Sequence, residues 1–343
     1  MRRKKKRALK FVGLIVMVAI LFVVLQTLGI EKQKQKDSQK EEKQATSFLS
    51  LPEADPEEEM GGTEYVTTED NPCDTVYVEY IDVGQGDSTL IYDESTDYSI
   101  LIDTGLYEAY DNVQATLADY GIDTLDVLVL THPDTDHIQS AVDVLRDYNV
   151  PVVYMSRAQN PEAKTFEYLP GYLKEQYSAG ITYPDAGEFI SLGGGSATLT
   201  FLGPVEYRDM TDTNGNSLVT RLDNGEDSFL FMGDATGDEV DDILSTGTDM
   251  AVDVLKAAHH GSANDGCNSM ALFKAADPEF LVVSCAYQND YGHPHIETME
   301  LAKSQNILLY RTDLQGSVSC KSTGRGVVWS TEPTSVYTNG NGF

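Results

Sequence analysis

The sequence predicts an α/β fold: an αββα sandwich of two sheets between helical layers, preceded by one N-terminal transmembrane helix. Three observations carry that expectation. From about residue 75 to 330, short apolar runs alternate with stretches of helical spacing. That span of about 260 residues suffices for one large domain with a full core. All six histidines fall in three short loop-like clusters, His132 and His137 in THPDTDHI, His259 and His260 in KAAHHGS, His293 and His295 in YGHPHI.

Taken in chain order, residues 1–10 read as a cytoplasmic basic segment. MRRKKKRALK carries seven basic side chains: Arg2, Arg3, Lys4, Lys5, Lys6, Arg7 and Lys10. Residues 11–30, Phe11 to Ile30, hold no charge over twenty positions and read as a transmembrane anchor. Basic residues ahead of the span place the bulk of the chain outside the cytoplasm. A cleaved signal peptide is the rival, but the apolar run is long for one and EKQKQK offers no small-x-small cleavage site. Residues 31–72, rich in Lys, Gln, Glu and Asp, read as a disordered linker whose start could instead extend the helix. Residues 73–332 form the domain. A second shift follows Trp329, and residues 333–343 read as a frayed tail.

Within the domain, Val76 to Asp82 and Ser88 to Asp93 read as paired strands, with Gly84 and Gly86 marking the turn. LDVLVLT (Leu125 to Thr131) is a continuous apolar run, as expected of a strand buried on both faces. His132 follows it directly, and Ile138, Val142 and Leu145 then recur at helical spacing, so the histidine cluster lies in a strand-to-helix loop. Further strand-like runs are Leu199 to Leu202, Ser228 to Met232, Asp253 to Lys256 and Phe280 to Ser284. Helical stretches are Val113 to Tyr120, Gly237 to Leu244 and Glu297 to Ser304.

Histidines gathered with Asp134, Asp136 and Asp234 point to a metal site assembled from distant loops. The blander alternative is that single members cap helices or satisfy core polar groups. The four cysteines, Cys73, Cys267, Cys285 and Cys320, match no C-x-x-C spacing, so a structural zinc is not expected. Cys285, at the end of FLVVSC, lies near the site or is a small buried hydrophobe.

H-x-D-x-D-H resembles the H-x-H-x-D-H signature of metallo-β-lactamase-fold hydrolases. The sharper resemblance is to the β-lactamase-like domain of the ComEC competence family. DVGQGDS, THPDTDH, MGDA, HHGS and NDYGHPH occur in that order, across about residues 75 to 331. The multi-helix channel of that family lies outside the resemblance. It implies that Asp103, closing ILIDTG, braces the metal loop and that Asp234, closing FLFMGD, bridges two metals. His132 and Asp134 would hold one ion, and Asp136 and His137 the other, beside the nucleophilic water. One of His259, His260 and His293 would complete the second site, and another would protonate the leaving group. Asp82, Gln85 and Asp87 of DVGQGD would reach toward the centre or the substrate. Gly261 and Ser262 offer a turn whose backbone N–H groups could cradle an oxyanion, or simply a turn.

Two departures from the broad family bear on the metal. Asp134 stands where the second histidine is usual, and no histidine lies between His137 and His259, leaving Asn214 or Asn216 as weak substitutes. The set is rich in oxygen, so one or two divalent ions are expected, Mn²⁺ ahead of Zn²⁺.

Charge restrains the choice of substrate. The chain carries 24 basic and 55 acidic residues, a net of −31, and without the first ten residues the count is 17 against 55, or −38. That is not the footprint of a general nucleic-acid binder unless Arg208, Arg221, Lys256, Lys274, Arg311 and Arg325 form a local patch. The expected function is a membrane-anchored, extracytoplasmic, metal-dependent hydrolase, a phosphodiesterase or nuclease related to DNA uptake. The alternatives are a cell-wall phosphodiester (phosphorylcholine esterase-like) or small-ester hydrolase, and a non-catalytic accessory protein that keeps the fold.

Overall fold

The computed structural model describes residues 73–176 and 180–341. The basic segment, the apolar span 11–30 and the linker to residue 72 therefore lie outside the described residues. No helix among the described residues is long and apolar enough to cross a membrane.

The chain runs β1 (Val76–Tyr80), β2 (Thr89–Asp93), β3 (Tyr98–Ile102), α1 (Tyr110–Asp119), β4 (Val127–Leu130), the single turn α2 (Thr135–Ile138), α3 (Ala141–Asp147), β5 (Val152–Met155) and α4 (Lys164–Gln176). It continues through β6 (Phe189–Ser191), β7 (Thr198–Gly203), β8 (Val219–Asn224), β9 (Asp227–Phe231), α5 (Gly237–Ser245), β10 (Val254–Lys256), α6 (Met270–Ala276), β11 (Phe280–Val283), α7 (Ile296–Ser304), β12 (Leu308–Arg311), α8 (Thr312–Gln315), β13 (Val318–Ser322) and β14 (Val327–Trp329). The strands form two mixed sheets, ordered β14-β13-β1-β2-β3-β4-β5 and β12-β11-β10-β9-β8-β7-β6.

Three apolar layers hold the sheets and helices together. Val78, Tyr80, Ile100 and Val129 of the first sheet meet Leu199, Phe201, Phe229 and Phe231 of the second in a central core. On the outer face of the first sheet, Leu101, Leu128 and Val153 pack with Val113 and Leu117 of α1, Val144 and Leu145 of α3, and Leu169 of α4. On the outer face of the second, Leu230, Leu255 and Leu281 pack with Val240 and Ile243 of α5, Leu272 and Phe273 of α6, and Met299 of α7. This is the expected αββα sandwich. β4 (VLVL) and β11 (FLVV) are buried at every position because each has a neighbour on both edges and a layer on both faces.

β3, β4 and β5 run parallel, as do β9, β10, β11 and β12. Their carboxyl ends release the loops that carry Asp103, His132 to His137, Asp234, His259 and His260, and His293. The parallel blocks thus place every histidine cluster beyond strand ends, where open sheets gather ligands.

Two expectations change here. The residues after Trp329 were expected to fray, yet they dock on the second sheet. Thr334 N–H donates to the Leu309 carbonyl, Tyr337 Oη to the Ile307 carbonyl, and the buried Arg311 guanidinium to the carbonyls of Val336 and Thr338. A buried guanidinium with five donors needs these acceptors, which composition alone does not reveal. Nor do the basic residues form the patch considered above. Arg208 pairs with Asp242, Arg221 with Asp223, Lys256 with Asp87 and Arg311 with Asp313, so four of the six are neutralised locally.

A candidate metal centre

Asp103 anchors the site. Its φ of 57° turns the chain sharply after β3. Oδ1 accepts the Thr131 N–H at 2.8 Å, and Oδ2 accepts Thr131 Oγ1 at 2.7 Å and His137 Nδ1 at 2.8 Å. With Nδ1–H given to Asp103, the His137 ring presents Nε2 inward. Asp103 thereby ties Thr131 and His137 of the loop after β4 to the end of β3.

Asp234 is the hub. Its backbone N–H donates to Ser217 Oγ at 3.1 Å, fixing the turn after β9. Oδ1 lies 3.2 Å from His137 Nε2, and Oδ2 lies 3.6 Å from His260 Nε2, 3.7 Å from His259 Nε2 and 3.8 Å from His132 Nε2. Asp134 Oδ2 stands 3.6 Å from His132 Nε2, and Asp136 Oδ2 stands 3.2 Å from His260 Nε2. Asp234 therefore lies among four histidines, His132, His137, His259 and His260, with Asp134 beside His132 and Asp136 beside His260.

His259 and His260 are adjacent, and both adopt left-handed backbone, with φ of 45° and 55°. That conformation disfavours a residue carrying a Cβ and persists where the surroundings impose it. It lets consecutive imidazoles both reach Asp234. His260 Nδ1–H donates to the Ser284 carbonyl at 3.1 Å, leaving Nε2 for the centre.

The donor atoms fit a divalent ion. His132 Nε2, His137 Nε2, Asp234 Oδ1 and Asp87 Oδ1 are buried without a hydrogen-bond partner. Each such orphan costs about 1–3 kcal/mol if nothing satisfies it. One ligand atom from each of Asp87, His137, Asp234 and His260 lies within 4.8 Å of the others.

The electrostatics match. Burial opposes charge on each of these groups. Pairing of carboxylates with imidazoles outweighs it at Asp136, Asp234, His137 and His260, whereas burial prevails at His259 and lowers its pKa. Asp234 and Asp136 are held below the ordinary carboxylate range by His137 and His260. His137 is raised well above its ordinary value by Asp234 and Asp103, and His260 is raised to about 10 by Asp234, Asp136 and Asp87. Without metal, these imidazoles take protons where a cation would sit.

Other expected residues fall around this centre. His293 is brought to its edge and not among the carboxylates. Its ring lies 5.3 Å from that of His259 and 6.0 Å from that of His260, and Nδ1 is 3.4 Å from Gln85 Nε2. Burial, followed by the charges of His260, His259 and His295, lowers His293 to about 3, so it is neutral at pH 7. It suits proton acceptance or hydrogen bonding better than the proton donation expected of it. Gln85 lies beside His293, and its Oε1 accepts the Ala286 N–H. Asp87 is buried against Lys256.

Asp82 does not reach the centre. Its Oδ1 accepts the Gly84 N–H within the turn, and its carbonyl accepts Asn112 Nδ2 from α1. It lines a separate groove of about 520 Å³ with Glu79, Asn112, Asp119 and Tyr120. Ser262 offers no N–H to an oxyanion, since that donor is given to the His259 carbonyl at 2.8 Å. Gly261 is a packing glycine: at φ 83° a Cβ would stand 2.6 Å from Pro294 Cβ. His295 is structural, with Nδ1 accepting the Ala263 N–H and Nε2–H donating to the Tyr291 carbonyl.

Of the two asparagines weighed for the missing histidine, Asn216 turns away to the carbonyls of Asp209 and Asp212. Asn214 comes within 3.5 Å of His259 Nδ1. The other His259 nitrogen, Nε2, lies 3.7 Å from Asp234 Oδ2. Asn160, whose Nδ2 donates to Asp134 Oδ1 at 2.8 Å, carried no sequence signal.

This fold and this site define a class, and sequence comparison names it. The profile of the Metallo-beta-lactamase superfamily matches residues 81–284, and the chain belongs to that superfamily, whose members are generally metal-dependent hydrolases. It is similar to competence proteins of the ComEC family. ComE operon protein 3 of Bacillus subtilis is 27% identical over 272 residues, 75% of this chain and 34% of that protein. Competence protein ComA of Neisseria gonorrhoeae is 29% identical over 250 residues, 72% of this chain and 32% of that one. The chain thus spans about a third of the length of these relatives. Among solved structures, the metallo-beta-lactamase fold protein YhfI of Bacillus subtilis aligns over 73% of this chain and all of its own, at 15% identity and a TM-score of 0.48.

Proposed function

We propose that this chain is a membrane-anchored, extracytoplasmic, metal-dependent phosphodiesterase. The observation that carries the reading is Asp234, buried with four histidines within 3.8 Å of its carboxylate oxygens. In this reading His132, Asp134, Asp234 and His259 hold one divalent ion, and Asp136, His137, Asp234 and His260 hold the other. Bound Mn²⁺ or Zn²⁺ supplies Lewis acidity and brings the pKa of water toward neutrality. The protein's part is to fix the imidazole faces through Asp103 and the Ser284 carbonyl, and to exclude solvent from the buried donors. His293 and Gln85 at the edge are placed to orient the departing group.

The relatives are named as competence proteins, which supports a diester of DNA as substrate. The neutralised arginines and the net charge favour small or short diesters over long polyanions, and so keep the cell-wall diester reading beside the nuclease one. The test is turnover of an aryl phosphodiester with Mn²⁺ added. Mn²⁺-stimulated hydrolysis, with DNA cut more slowly and lost steeply with salt, supports the reading. Tight metal binding without any diester hydrolysis contradicts it and favours an ester hydrolase or an accessory protein.

A further inference from the structure

Lys256, the last residue of β10, is 2% exposed. A lysine this deep requires a partner. Its Nζ donates to Asp87 Oδ2 at 2.7 Å and to the Ala257 carbonyl at 2.9 Å. Asp87 comes from the turn between β1 and β2, in the opposite sheet. That turn is pressed against the metal loop. Asp87 N–H donates to the Asp136 carbonyl at 3.3 Å, and a Cβ on Gly86 would stand 2.3 Å from the same oxygen.

With Oδ2 taken by Lys256, the orientation of the carboxylate is set. Oδ1 is left buried and without a hydrogen-bond partner, 3.5 Å from His260 Nδ1. That nitrogen already hydrogen-bonds the Ser284 carbonyl, so it does not need Oδ1. Asp87 is also one of the four side chains whose ligand atoms converge within 4.8 Å.

We infer that Asp87 is a metal ligand delivered by the β1–β2 turn, and that Lys256 is the positioning residue that turns its carboxylate inward. The inference rests on the metal-centre reading and adds a ligand to it. An extra carboxylate beside Asp136, His137, Asp234 and His260 makes that side of the site harder, which favours Mn²⁺ there. It also explains why the DVGQGD turn lies at the site at all.

The test is Mn²⁺ titration of the purified full chain by calorimetry, with circular dichroism as the check on folding. Asp87→Asn is isosteric and keeps an acceptor for Lys256. Lys256→Met alone would strand a buried carboxylate, so the paired Asp87→Asn/Lys256→Gln protein serves as the second variant. The expected result is two ions bound by the wild type, with the affinity for one of them weakened about tenfold or more in both folded variants. Folded variants that bind both ions with wild-type affinity overturn the inference and leave the pair as a tie between sheets. Loss of folding in Asp87→Asn assigns the pair to structure and overturns it equally. A wild type that binds no metal overturns the centre itself.

Discussion

His259 and His260 are consecutive residues, yet both imidazoles approach the same oxygen, Asp234 Oδ2, at 3.7 and 3.6 Å. Two left-handed residues in a row make this possible. The loop after β10 thereby brings two consecutive imidazoles to one carboxylate oxygen.

In the proposed two-ion reading, His260→Ala and His259→Ala should act on different ions. Each variant should retain its fold and lose about one equivalent of metal, the His260 variant keeping the ion beside His132. Elemental analysis after reloading checks it. Equal loss of both ions from either variant would show one indivisible site.

Metal binding should release protons. His137 and His260 have raised affinities for protons in the metal-free site, His260 to about 10, so His260 carries a proton at pH 7. A cation needs them neutral. Apparent affinity should then weaken as pH falls, because protons compete more strongly. Calorimetry in two buffers of different ionisation enthalpy should give different apparent heats. Identical heats would mean the imidazoles are already neutral.

Glu239 offers a test away from the centre. Both carboxylate oxygens are buried without a hydrogen-bond partner, and burial, then Asp242 and Asp212, raise its pKa well above the ordinary value. A folded pKa above the unfolded one means its contribution is most favourable below about 4.5 and is lost as pH rises toward the folded value. Glu239→Gln should gain melting temperature relative to wild type between pH 5 and pH 8. A pH-independent difference would show that the carboxyl does not titrate this way.

Topology is checked with protoplasts. An anchor at residues 11–30 preceded by seven basic side chains predicts that added protease trims the bulk of the protein. A fully protected domain contradicts the placement.

Much of this architecture was legible. β4 and β11 announce themselves as unbroken apolar runs because both faces are covered. The histidine loops follow strand ends, so Asp103, His132, His137 and Asp234 could be placed in one site from their motifs. What remained hidden depends on pairs remote in sequence. Lys256 meets Asp87 across 169 residues, and Asn160 meets Asp134 from the loop after β5. The docked tail depends on a buried Arg311, which in the sequence looks like any surface arginine. Asp82 and Ser262 sit inside motif-like strings, yet Asp82 is hydrogen-bonded to Gly84, Asn112 and Ser317, and the Ser262 N–H is given to the His259 carbonyl.

The most direct measurement is the metal content of the purified full chain reloaded with Mn²⁺, beside Asp234→Ala. With Asp234 shared by both proposed ions, the wild type should hold two ions per chain, and the variant should lose most of both while remaining folded. Wild-type protein without stoichiometric metal, or an Asp234→Ala protein that binds as the wild type does, would contradict a metal centre built on Asp234.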